Sequence, residues 1–202
     1  MTVWSRFADR IDIFTDVMHE WDERVMLSIS EARFLRKVPR VFIAATYLGD
    51  GYIWGGLAIG LLAFGGSRGR WNVLAGFVIT VANLIAVRLL KMLFSRERPE
   101  DAVEAMRGRV MDVYSFPSGH ATTSFGLAWL VVTAYPVPLA QALVYALAAV
   151  IGLSRVVLRE HYLSDVMAGA LLGTFVAASV LHVFRWASFL QGFQPLLRIQ
   201  VL

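Results

Sequence analysis

"FPSGHATTSF", Phe116–Phe125, sets a proline, a small hydroxyl residue, a glycine and a histidine before an apolar run in which no charged residue occurs from Ala121 to Ser154. A hydrocarbon core about 30 Å thick needs roughly 20 apolar residues in a helix, so this run, taken with its flanks, is of a length to supply two spans. "YPVP" at Tyr135–Pro138 supplies the reversal, because proline does not continue a helix. His120 therefore stands at the lip of a membrane-length segment, where an ionisable residue is costly without a partner or a task.

The rest of the chain fits that environment. Of its 202 residues, 57% are hydrophobic and 17% charged, against roughly 45–50% and about 25% in soluble domains. The charge is concentrated: fourteen of the first 40 residues carry it, seven of each sign. The net charge of +4 comes from basic residues scattered between apolar spans, which excludes a nucleic-acid-binding face. The absence of cysteine rules out disulfides and thiolate metal sites. Arg6, Asp9, Arg10 and Asp12 interrupt any early apolar core, so a signal peptide is not expected.

Five segments read as membrane spans: within Val41–Phe64, broken by Gly49-Asp50-Gly51; about Trp71–Phe94; Gly119–Tyr135; about Pro138–Leu158; and about Leu163–Phe184. In the first 37 residues, Phe7, Ile11, Phe14, Met18, Trp21 and Val25 recur at steps of four and three with charges between them, the pattern of an amphipathic helix. Such a helix lies in the headgroup region or packs on the protein, with a short coiled coil as the alternative. The expected fold is all-α: a polytopic membrane helix bundle of about five spans, residues 38–202, preceded by an interfacial amphipathic helix region, residues 1–37.

Alternating spans bring the end of the second, the start of the third, the end of the fourth and the start of the fifth to one face. Those places hold Lys91, Arg98, Ser118, Gly119, His120, Arg155, His161 and Asp165. Three cations, a hydroxyl and a helix N-terminus describe a pocket for an anion, most naturally phosphate. His161 and Asp165 are i,i+4 and share a helix face, so the carboxylate can orient the imidazole as a nucleophile. His120, on another helix, can protonate a leaving oxygen. Singly, each residue has an ordinary use: a surface ion pair, snorkelling anchors or an N-cap. Their sharing of one face favours a site. His19 and His182 read as structural, and Asp50 is a candidate because it is an intramembrane acid.

The same residues resemble a known signature. Lys91, six residues, then Arg98-Pro99; Pro117-Ser118-Gly119-His120; and Ser154-Arg155, five residues, His161, three residues, Asp165 are similar to the three-part motif of the type 2 phosphatidic acid phosphatase superfamily. That superfamily includes membrane lipid phosphatases, undecaprenyl-diphosphate phosphatases, glucose-6-phosphatase and vanadium haloperoxidases. The resemblance covers about Lys91 to Asp165. It implies that Lys91, Arg98 and Arg155 bind phosphate oxygens with Ser118 and Gly119, that His161 forms a phosphohistidine oriented by Asp165, and that His120 is the acid. It implies no metal and no cofactor, a membrane lipid phosphate as substrate, and a bacterial plasma (inner) membrane location with the site facing the periplasm or exterior. Bacterial relatives usually have six spans; the expectation here is five, beginning at the charged segment after the first, with the termini on opposite faces. The competing readings are a non-enzymatic lipid-phosphate binder or transporter and a vanadate-dependent haloperoxidase relative. The five spans and the presence of both histidines weigh against them.

Overall fold

The protein is described here by a computed structural model covering residues 18–99 and 113–190, with side chains to residue 186. The apolar positions expected at Phe7, Ile11 and Phe14, and residues 100–112 of the loop before Tyr114, lie outside the described residues. Helix α1 is described over residues 18–30. After a 3₁₀ turn at Leu35–Lys37 come α2 (Pro39–Tyr47), a π turn (Leu48–Tyr52), α3 (Ile53–Phe64), α4 (Gly66–Phe94), α5 (Gly119–Ala134), α6 (Pro138–Val157) and α7 (Leu163–Leu190). No strand occurs among the described residues. The fold is an all-helical polytopic bundle, and the helix bounds lie close to the spans expected from sequence.

Two spans differ in form from the simplest expectation. The first is not one helix: α2 and α3 are joined through the π turn at Gly49-Asp50-Gly51. The third, α5, has 16 residues, about 24 Å at 1.5 Å per residue. The other four candidate spans, 39–64, 66–94, 138–157 and 163–186, are long and apolar enough to cross a membrane. Helix α5 is instead the bundle's centre, packed by α4, α6 and α7. Phe77, Leu84, Leu89, Leu171 and Phe175 project outward from α4 and α7, as expected of surfaces meeting lipid.

Small residues draw α5 and α7 together, as in other membrane helix pairs. A Cβ on Gly169 would stand 2.6 Å from the Ser118 carbonyl oxygen, and one on Gly173 would stand 1.9 Å from that of Thr122. This contact sets the start of α5 against the start of α7. Ile79, Leu127, Ala128, Ala148 and Ala177 form the apolar core behind it. Beyond the core, the Arg68 guanidinium donates to the Ala134 carbonyl and ties off the other end of α5.

The described part of α1 packs on the bundle. Met26 is buried with Ala121, Val156, Tyr162 and Val166, while Met18 and Trp21 stay exposed. Arg159 adds a second tie, donating to the Ser30 hydroxyl at 3.0 Å and pairing with Glu31.

Candidate active site

Helix α4 ends at Phe94, and the left-handed backbone of Ser95 (φ 45°) turns the chain into the non-helical segment 95–99. That segment is tied to residues 113–118 by the Ser115 amide on the Arg96 carbonyl, 2.8 Å. Two prolines bound this region, Pro99 and Pro117, and neither adjoining stretch continues a helix. After α6, residues 158–162 fold back on the helix end. The Glu160 and His161 amides both donate to the Arg155 carbonyl, at 2.9 and 3.1 Å. The Ser118 amide donates to the Asp165 carbonyl at 3.0 Å, which closes the ring of elements.

The sequence-selected residues meet in this ring. Burial first, then Arg98, Arg155, Lys91 and His120, hold the His161 imidazole well below its usual value of 6.5. The Arg98 Nη1 lies 3.3 Å from His161 Nε2. A guanidinium can only donate, so Nε2 is the acceptor and the ring hydrogen belongs on Nδ1. His161 lies in the turn before α7 and not on one helix with Asp165 as the i,i+4 spacing predicted, because its amide is held by the Arg155 carbonyl. Its Nδ1 is 3.5 Å from Asp165 Oδ2, longer than a well-formed hydrogen bond. Asp165 Oδ2 accepts from the Tyr162 amide at 2.9 Å, and Oδ1 from Arg96 at 2.9 Å. His120 lies on the second residue of α5, and its Nε2 is 2.7 Å from Asp50 Oδ1.

The cations already have protein partners. Lys91 donates to the Tyr114 carbonyl. Arg98 donates to the Glu160 carbonyl at 2.8 Å, and its guanidinium lies 3.6 Å from the Glu160 carboxylate. Arg155 spends one Nη on Thr46 Oγ1 (2.9 Å) and the other on Glu160 Oε2 (2.6 Å). Its Nε, like the Ser118 hydroxyl and His161 Nδ1, is buried without a hydrogen-bond partner among the described residues. Ser118 is positioned as the N-cap of α5, but its side chain makes no cap bond. Its amide is used by Asp165. The amides left to meet an anion at this helix start are therefore those beginning at Gly119.

Several participants were not singled out from the sequence. Arg96 bridges Asp165 to Asp22 (2.7 Å) and covers the Tyr162 ring at 4.2 Å. Asp22 also accepts from the Ser164 amide and hydroxyl. Glu160 sits between two guanidiniums, and Thr46 supports Arg155. Arg96 and Glu160 border motif positions, a weak signal, whereas Asp22 reads as one more charge on a polar helix face. His19 lies edge-on to Tyr162 and lines a polar cavity of about 340 Å³ with Glu23, Glu97 and Arg98. His182 is on α7 beside Trp186. Among the described residues no three His, Asp or Glu side chains form a metal-binding group. A second cavity, apolar and about 300 Å³, lies between α3, α4 and α5 and extends from Gly51 and Thr123 to Asn72 and Tyr135.

Known proteins resemble the chain in sequence and in fold. The sequence profile of the PAP2 superfamily matches residues 71–189. The decaprenylphosphoryl-5-phosphoribose phosphatase of Mycobacterium tuberculosis is 40% identical over 122 residues, 60% of this chain and 66% of that protein. The lipid A 4'-phosphatase of Bacteroides thetaiotaomicron is 29% identical over 119 residues, 52% of this chain and 53% of that one. The chain thus spans just under two thirds and about half of these relatives. The crystal structure of Aquifex aeolicus LpxE superposes with a TM-score of 0.65 at 26% identity, covering 79% of this chain and 93% of that one. The PAP2-type phosphatidylglycerolphosphate phosphatase of Bacillus subtilis gives 0.69 at 21% identity, covering 87% and 90%, and shares the fold.

Proposed function

The chain belongs to the PAP2 superfamily, and from that membership we propose that it is an integral membrane phosphatase acting on a phosphate or diphosphate monoester of a membrane lipid. His161 Nε2 attacks phosphorus, and Asp165 steadies the Nδ1 side of the ring as positive charge develops. Lys91, Arg98, Arg155, the Ser118 hydroxyl and the amides from Gly119 onward hold the phosphoryl oxygens. His120 protonates the departing oxygen, and water then releases phosphate from the phosphohistidine.

One observation carries the reading: the lone pair of His161 Nε2 faces Arg98, and the ring is kept neutral by burial and the surrounding cations. An anion entering there replaces Arg98 as the neighbour of Nε2 and accepts from the otherwise unpartnered Arg155 Nε and Ser118 Oγ. The Asp165–His161 contact is expected to shorten when phosphate oxygens are bound, since catalytic hydrogen bonds often tighten on complex formation. The apolar cavity begins at Gly51, next to Asp50, so a hydrocarbon tail can stay among the helices while the headgroup reaches His161.

The relatives narrow the assay. Phosphate release is to be measured across decaprenylphosphoryl-5-phosphoribose, lipid A, phosphatidylglycerol phosphate, phosphatidate and undecaprenyl diphosphate. Turnover of at least one of them persists in EDTA and is blocked by vanadate, whose five-coordinate form resembles the phosphoryl transition state. Loss of activity in EDTA with recovery on adding Mg²⁺ or Zn²⁺ rejects the mechanism. Multi-pass insertion follows from the spans. A bacterial plasma-membrane location, with the site on the periplasmic or exterior side, completes the proposal.

A further inference from the structure

The break in the first span is shaped around His120. Gly49 lies so close to the imidazole that a Cβ there would stand 2.8 Å from His120 Cδ2 and 2.7 Å from Ile151 Cγ2. Gly51 has φ +110°, a conformation that L side chains rarely adopt, and after it the chain resumes as α3. Between them, Asp50 places Oδ1 at 2.7 Å from His120 Nε2. A helix that only needed a kink would not need an acid at its centre, since an intramembrane carboxylate is costly.

We infer that Asp50 is a positioning residue for the acid step: it fixes the hydrogen of His120 on Nε2, leaves Nδ1 to exchange a proton with the leaving oxygen, and stabilises the imidazolium. This rests on the phosphatase reading above. A carboxylate only accepts, so the nitrogen facing Asp50 carries hydrogen in both charge states of the ring. The charged and titratable groups bearing on His120 are Asp50 at the break, Arg155 on α6, and Glu160 and His161 beyond it. Arg155 opposes a positive ring, and Asp50 is the carboxylate in direct contact with it.

The steps balance without change at Asp50. As the bond from phosphorus to His161 Nε2 forms, the bond from phosphorus to the leaving oxygen breaks. The proton on His120 Nδ1 passes to that oxygen, giving the alcohol and a neutral ring with hydrogen on Nε2. Water then attacks phosphorus, the P–N bond breaks, and the water proton returns to Nδ1. The two histidines work as opposite tautomers, His161 with hydrogen on Nδ1 and His120 on Nε2.

The test compares Asp50→Asn with the wild type on phosphatidate and on p-nitrophenyl phosphate, both in detergent micelles. The alkoxide of phosphatidate needs the proton; p-nitrophenolate does not. Phosphatidate turnover falls about 10–100-fold, part of the roughly 10²–10⁴-fold value of a general acid. The p-nitrophenolate burst slows by less than about threefold, because that leaving group departs unprotonated. The alkaline limb of phosphatidate turnover moves to lower pH, because the imidazolium has lost its counter-charge. In a His120→Ala background the same substitution changes phosphatidate turnover little, as for two residues acting as a unit. Asp50→Ser carries the same expectations and replaces Asp50→Asn if that variant is not recovered folded. Equal slowing with both substrates, an unmoved alkaline limb, or a full loss persisting without His120 overturns the inference. Failure of the phosphatase reading is separate: it shows as no phosphate release by the wild type from phosphatidate or any other lipid of the panel, and if another of those lipids is the one turned over, it takes the place of phosphatidate in the same comparison.

Discussion

His161 and Asp165 are four residues apart in sequence and closed off from solvent, whereas His120 and Asp50 are separated by 70 residues and keep side-chain exposures of 22% and 31%. The buried pair is loosely joined, at 3.5 Å, and is ringed by cations; the open pair is tight, at 2.7 Å. The difference matches two tasks. A nucleophile must keep its lone pair free of water and protons until phosphorus arrives. An acid must recover its proton every cycle, so it needs a counter-charge and a route to water.

The largest test of this contrast removes each imidazole in turn. His161→Ala leaves no phosphoenzyme with any substrate, because the bond-forming atom is gone. His120→Ala loses roughly 10²–10⁴-fold on a lipid ester and much less in the nitrophenolate burst. Acid-quench trapping with ³²P-labelled substrate reads the first result and rapid mixing the second. Phosphate trapped by His161→Ala, or equal impairment of His120→Ala with both leaving groups, would exchange the two assignments or reduce the site to a binding pocket.

A smaller test probes the far side of the buried pair. Asp22 shares Arg96 with Asp165, so Asp22→Asn weakens the support of His161 without touching His120. Turnover drops about tenfold, the order of one charge-assisted hydrogen bond, and by the same factor with both leaving groups. A loss confined to phosphatidate would assign Asp22 to the acid instead.

The smallest expected effect is a signal that stays still. Burial and the neighbouring cations push the His161 value below 6.5, so without substrate the ring remains neutral as the pH falls through 6.5. In the unfolded chain the ring takes up a proton near 6.5. This group's contribution to stability is therefore complete above that pH and lost as the pH falls toward the depressed native value. Imidazole ¹⁵N spectra in micelles, assigned with His161→Ala, then show the Nδ1–H tautomer unchanged from pH 8 to below 6.5. Protonation of His161 at its ordinary value would contradict the cation ring around it.

The sequence was most informative where spacing and helix geometry do the work. Five apolar runs and "YPVP" placed the helices, and alternation alone put Lys91, Arg98, Ser118, His120, Arg155, His161 and Asp165 at one end. What it did not reveal depends on which side chains meet across helices. Arg96 and Arg98 are two residues apart in one basic stretch, yet Arg96 turns to Asp165 and Arg98 to His161. Thr46 is an ordinary residue of an apolar span until Arg155 donates to it. Glu160 precedes His161 and has no pattern that says it will sit between two guanidiniums. The glycines around Asp50 marked a break, but which imidazole it would hold was a question of helix rotation and not of periodicity.

Asp22 has a consequence for the order in which the protein is completed. Its carboxylate is 1% exposed, and its partners are Arg96 and Ser164. During synthesis Asp22 leaves the ribosome long before either partner, and the second of them lies at the head of the last span. Until α7 is delivered, Asp22 lacks Ser164 and Arg96 lacks Asp165. The guanidinium on Asp165 is thus fixed only when α1, the end of α4 and α7 have met. A chain halted before α7 would carry Lys91, Arg98, His120, Arg155 and His161 without Asp165 or the bridge that Arg96 makes from it to Asp22.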